Sequence, residues 1–183
     1  MTGKTHFVSS VLTISSACIV LNNPIHIVLF AAGNFYGSLV PDIDVDNSVG
    51  RSTFVLSAKI YDLLQNFFTS VGLGENMFTH RGIMHSLAIP ILSFVLAYKN
   101  ANLLAYALWG LGIGYVMHLF LDFITAGKKG LALLSPITNY RFKFPIYIKT
   151  SGIFESIVLH SMEVLSLLIV LFFTGNGLQV ISI

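Results

Sequence analysis

Long apolar runs broken by short polar clusters dominate this 183-residue chain, and five runs approach the roughly 17–25 residues needed to cross a bilayer. They cover His6–Leu21, Pro24–Val40, Ile83–Tyr98, Leu103–Thr125 and Ile153–Thr174. The first is diluted by Ser9, Ser10, Thr13, Ser15 and Ser16. Asn22-Asn23-Pro24 stops it and starts the second, with asparagine as cap and proline in the first turn. The second run ends at Pro41 and contains Gly33-x-x-x-Gly37, a spacing that lets helices approach closely; Gly110, Gly112 and Gly114 punctuate the fourth. Between the second and third runs, Thr53–Leu73 places Val55, Leu56, Ile60, Leu63, Leu64, Phe67, Phe68 and Val71 at helical spacing. Lys59, Asp62, Gln65 and Asn66 interrupt them, which suits an amphipathic helix lying at the interface better than a sixth span.

Composition agrees. Apolar residues make up 55% and charged residues only 10%, against about 25% charge in a soluble domain. Mean hydropathy is +0.80. Soluble and disordered classes are excluded, and the expectation is an all-α polytopic membrane bundle forming one domain over residues 1–183. The start of the chain reads as the first membrane helix rather than a cleavable signal. A net charge of +2 gives no reason to expect nucleic acid. The lone Cys18 excludes an internal disulfide and a cysteine-based zinc site.

With five spans, every Lys and Arg except Lys99 falls on one side, namely at the N-terminus, between Pro41 and Gly82, and in the basic loop 126–152. The positive-inside rule puts that side in the cytoplasm. The polar clusters gather at the same ends of the spans.

His118-x-x-x-Asp122 puts an imidazole and a carboxylate on one helix face. A shared divalent cation, a His–carboxylate pair or an interhelical hydrogen bond would each use that spacing. Pro41-Asp42-Ile43-Asp44-Val45-Asp46 reads as an extended loop whose acids point one way, as metal ligands or as a solvated acidic loop. An EF-hand is a poor match, because Asn47 and Thr53 stand where glycine and glutamate are required. Thr79-His80-Arg81-Gly82-Ile83-Met84-His85-Ser86 reads as a turn opening the third helix. Its histidines are metal ligands or packing residues, Arg81 is a phosphate contact or an interface anchor, and Gly82 lets a ligand come close. His160 and Glu163 share a face and are expected to form a polar seam towards other helices, while His26 lies at the opposite ends of the spans.

Thr5-His6, Val40-Pro41-Asp42-Ile43-Asp44, His80-Arg81-Gly82-x-x-His85-Ser86 and His118-Leu119-x-x-Asp122-x-x-Thr125 occur in this order. Gly130-Leu131 and Leu134-Ser135-Pro136 follow. Over residues 1–140 the set resembles the YdjM-like family of bacterial and archaeal membrane proteins, described as inner-membrane metal-dependent hydrolases and in part linked to the LexA regulon. The resemblance implies His6, Asp42, Asp44, His80, His85, His118 and Asp122 as metal ligands, with Arg81 beside them; Met84 stands where a threonine often precedes the second histidine.

Four histidines and three aspartates exceed the needs of one tetrahedral zinc and could hold two ions, zinc or manganese, about 3.5–4 Å apart. The expectation is a metal-activated water attacking an ester, best a phosphoester, of a membrane-resident lipid at the cytoplasmic face. Arg81 would steady the phosphate, and Asp44 or Asp122 would serve as base. The rival is a regulatory or scaffolding membrane protein with a structural metal or polar cluster. Transport ranks last, since the polar groups crowd one end. The glycine-rich spans permit a homodimer.

Overall fold

The computed structural model describes residues 1–72, 77–146 and 148–180. Among them the chain is all-helical, with a single isolated β-bridge between Leu131 and Phe142. The helices are α1 (Gly3–Ala17), α2 (Pro24–Leu39), α3 (Val49–Thr53), α4 (Val55–Ser70), α5 (Ala88–Lys99), α6 (Leu104–Thr125) and α7 (Ile153–Val180).

The centre of the bundle is the α2–α6 pair, its most extensive helix contact. Glycines set the distance between the two. A Cβ on Gly33 or Gly37 of α2 would run into the carbonyls of Ala107 and Leu111, and one on Gly110 or Gly114 of α6 into those of Phe30 and Asn34. These glycines are therefore used within one bundle. Gly112 points elsewhere, against the Phe94 ring of α5.

α1 packs against α2, α6 and α7. The serines and threonines that lower its hydropathy face inward. Ser10 and Thr13 both donate to the Asn34 side chain, each at 2.8 Å, and Asn34 is fully buried. Its other end meets α7. The Glu155 carboxylate accepts from the Thr2 amide at 2.5 Å, the Thr5 hydroxyl at 2.6 Å and the Ser151 amide at 2.7 Å. Hydrogen bonds to a buried charge contribute about 1.5–3 kcal/mol. Glu155→Leu is expected to cost at least that much in thermal unfolding of the detergent-solubilised protein. An unchanged transition would mean that α1 is anchored elsewhere.

Two helices, Leu104–Thr125 and Ile153–Thr174, are long and apolar enough to cross a membrane. The other expected spans are shorter, with α1 at 15 residues, α2 at 16 and α5 at 12, so helix length alone does not carry five crossings. The third run is the clearest departure. It becomes helical only at Ala88, because Pro90 has no N–H for the Ser86 carbonyl and its ring crowds that carbonyl. The preceding residues are pinned as a 3-10 turn, Ile83–His85, by bonds from the Ile83 amide to the Met77 carbonyl and from the Leu87 amide to the Leu133 carbonyl, both 2.8 Å.

The expected interfacial helix divides at Phe54 into α3 and α4, and its last expected residue, Leu73, lies outside the described residues. Leu56, Ile60, Leu63 and Phe67 point away from the bundle, while Ala58 and Tyr61 face it. Arg51 clamps α4 to the turn that follows α2, donating to the Ile43 carbonyl at 2.7 Å and to both oxygens of Asp62 at 2.7 and 2.9 Å. Residues 126–152 are more than a basic loop. Lys128 and Lys129 are exposed, but Leu131 and Ala132 are buried and brace the His80–His85 turn through the Ala132 amide and the Arg81 carbonyl.

Candidate metal centre

Four parts of the fold converge at one end of the α2–α6 pair. The first turn of α1 carries His6, and a 3-10 turn at Val40–Asp44 carries Asp42 and Asp44. The braced turn carries His80, Arg81 and His85, and α6 carries His118 and Asp122 one turn apart. Pro41 ends α2 as expected, but the acids do not lie on an extended loop. The tight turn separates them, so Asp42 and Asp44 reach inward while Asp46 stays in solvent 3.6 Å from Arg51.

His118 is held with one nitrogen committed. Its Nδ1 lies 2.7 Å from the Ser38 carbonyl. A carbonyl only accepts, so Nδ1 carries the proton and Nε2 presents a lone pair. That Nε2 is 3.3 Å from Nε2 of His85 and 3.6 Å from Oδ1 of Asp42. Nε2 of His85 is in turn 3.8 Å from Asp42 Oδ1 and 3.5 Å from Asp122 Oδ2. One donor atom from each of Asp42, His85, His118 and Asp122 lies within 4.8 Å of the other three. Ligands placed about 2.0–2.1 Å from one tetrahedral ion stand roughly 3.3 Å apart, so the donor set fits a divalent cation. Burial, with Asp122 and Asp44 close by, pushes the Asp42 carboxyl above the usual carboxylate range, against the opposing pull of His6 and His85.

His6 lies against this group. Its ring stacks on His118 with centroids 3.8 Å apart, and its Nε2 is 3.3 Å from Asp122 Oδ1. The ring is fully buried, and its Nδ1 has no hydrogen-bond partner. His85 Nδ1 is likewise unsatisfied. Orphaned buried polar atoms cost about 1–3 kcal/mol each, and here they surround a set of metal-type ligands, which supports the fit.

The remaining residues stand around these. The buried Asp44 carboxylate lies behind His85, 3.8 Å from its Nδ1, and contacts the Arg81 amide and His80 Nδ1 at 3.3 Å each. The His80 side chain is 44% exposed, on the rim. Arg81 adopts a left-handed backbone conformation, φ 64°, uncommon for a long side chain, and its Nε donates to Asp122 Oδ2 at 3.0 Å. The amino group of Met1 also bonds Asp122 and lies 3.1 Å from the Thr125 hydroxyl. Gly82 serves chain packing rather than a ligand, since its missing Cβ leaves room for the Met77 and Thr79 carbonyls. A cavity of about 280 Å³ opens above, with Asp42, His80, Arg81 and Asp122 in its wall.

The sequence model of the YdjM inner membrane protein family matches residues 1–181. The chain belongs to that family. The match extends past residue 140 to include α7. A relative from Bacillus subtilis (strain 168), the uncharacterized protein YvsG, is 31% identical over 171 residues, covering 91% of this chain and 92% of its own. No solved structure matches.

Several supports in this YdjM-family chain are invisible in the motifs. Ser38 contributes a backbone carbonyl, which no residue type signals. Tyr115 donates to the Met84 carbonyl at 2.5 Å and steadies the turn carrying His85. Its place three residues before His118, on the same helix face, was an available clue. His160 and Glu163 are bonded to each other at 2.8 Å and stand largely exposed on the wall of a groove between α1 and α7 rather than buried in a seam between helices.

Proposed function

We propose that this YdjM-family protein is a metal-dependent hydrolase acting on an ester, best a phosphoester, of a membrane lipid at the cytoplasmic face. The observation that carries the reading is the meeting of two imidazole nitrogens and two carboxylates, all within 4.8 Å of one another, beside a cavity walled by Arg81. Asp42, His85, His118 and Asp122 would hold one ion, with His6 and Asp44 placed to assist or to help hold a second. The mixed imidazole and carboxylate set suits zinc or manganese. A bound divalent ion supplies Lewis acidity and makes water nucleophilic near neutral pH.

The chain's own groups do the rest. Arg81, held by Asp122, presents a guanidinium to the cavity, where it orients an anionic phosphoryl oxygen. Asp44 holds Nδ1 of His80, which lines the cavity, giving a His–carboxylate pair suited to accept a proton. The reading keeps residues 1–183 as one membrane domain with five crossings, the shorter helices α1, α2 and α5 being extended by their flanking turns. The asymmetry of Lys and Arg then places the N-terminus, residues 53–73 and residues 126–152 in the cytoplasm.

The test is a panel of phospholipids and polyprenyl phosphates incubated with the purified protein. Release of headgroup or phosphate is expected, lost with chelator and restored by zinc or manganese. Bound metal without any chelator-sensitive product would favour a structural metal instead.

A further inference from the structure

A second cavity, of about 630 Å³, runs between α1 and α7, walled by Lys4, Phe7, Val8, Leu159, His160 and Glu163. It adjoins the metal-centre cavity, with Gly3 and Val49 bordering both. A Cβ on Gly3 would sit 2.8 Å from Val49 Cγ2 and 3.2 Å from its Cβ, so the Gly3 backbone packs directly on the Val49 side chain at this border. The groove is graded in polarity. Exposed Lys4 stands near the junction, Phe7, Val8 and Leu159 give apolar wall, and the hydrogen-bonded His160–Glu163 pair lies further along α7. At 1.5 Å per residue, that pair sits roughly 10–15 Å beyond the start of α7.

The pair needs a companion. Its side chains are 71% and 48% exposed on a helix apolar enough to cross the membrane, and ionisable groups facing hydrocarbon are costly. An amphiphile matches the whole sequence of surfaces: an anion for Lys4, oxygens for His160 and Glu163, and a hydrocarbon chain for Phe7, Val8 and Leu159. The volume lies within the roughly 300–1,000 Å³ of ordinary ligand sites. We propose that this groove seats a glycerophospholipid entering sideways from the bilayer, with its phosphate beside Lys4, at the end of the groove that adjoins the metal centre. The proposal rests on the hydrolase reading for its direction, but occupancy can be measured without turnover.

The protein is reconstituted in nanodiscs containing an anionic glycerophospholipid with a photoactivatable acyl chain, and adducts are mapped by mass spectrometry. Adducts are expected to concentrate on Phe7, Val8 and Leu159 over Leu167 and Leu171, which face outward on α7. Removing one interfacial cation costs about 1 kcal/mol of attraction to anionic lipid, so Lys4→Ala should lower the adduct yield about fivefold. Val8→Trp should block labelling while bound metal is unchanged, which separates loss of the groove from loss of the fold. Uniform labelling along α7 overturns the proposal. So do protein–protein adducts at Leu159, which would make a second copy the occupant. Groove adducts without metal-dependent product would sink the hydrolase reading and leave the groove standing.

Discussion

His118→Ala is expected to bring metal content from about one ion per chain to background, and Asp122→Ala to do the same. His118 is fully buried, its Nδ1 is taken by the Ser38 carbonyl, and its Nε2 lies among His85 and Asp42. His6, the closest ring, is stacked on it and loses that support with the mutation. Asp44→Asn should act more mildly. It keeps a side chain behind His85 but loses the charge that orients His85 and His80, a change of the kind that weakens metal affinity about 10–100-fold. Metal analysis of the purified protein, with chelator competition for Asp44→Asn, separates the two grades. His160→Ala, outside the centre, should keep its metal. Full metal content in both alanine variants, with helical content intact, would remove the site from these residues.

Much of this centre is legible in the chain because ionisable groups are scarce in it. Where only 10% of residues are charged, a histidine or aspartate near a helix end stands out by type alone. The four-residue spacing of His118 and Asp122 fixes a shared face through helix geometry. Direction is harder to read. Nothing local tells an extended Asp-x-Asp-x-Asp run from a 3-10 turn, and here Pro41 together with Arg51 on the Ile43 carbonyl decides it. The third run is apolar enough for a span, yet the bond from Leu87 to Leu133 and the position of Pro90 shorten the helix. Glu155 is a case of distance. Its partners Thr2 and Thr5 are about 150 residues away, so no window of sequence pairs them. The amphipathic helix was readable because its periodicity is local, and α4 keeps its apolar side turned outward.

The glycine pattern foretold close approach without naming the partner, and it yields the largest expected effect on folding. Gly110→Val should abolish the folded, monodisperse protein or lower its thermal transition more than any single change at the metal centre. A Cβ at Gly110 would press on the Phe30 carbonyl and lie 2.9 Å from the Asn34 amide nitrogen, both backbone atoms of α2. Backbone cannot rotate aside as a side chain can, so the helices must separate. Separation also breaks the register of Gly33, Gly37 and Gly114, and pulls Asn34 from its buried bonds to Ser10 and Thr13. Overpacking costs typically 1–3 kcal/mol where neighbours can relax, and this site belongs above that range. Gly112→Ala on the same helix supplies the contrast. Its obstacle is the Phe94 ring, which can turn towards the partly open side of α5, so its cost should stay at the low end, about 1 kcal/mol. Size exclusion and thermal unfolding in detergent distinguish the two. Asp42 follows α2 and His118 rides on α6, so metal binding should fall with Gly110→Val and persist with Gly112→Ala. If Gly110→Val remains as stable as the parent, α2 and α6 cannot be in backbone contact, and the distance between Asp42 and His118 loses its structural basis.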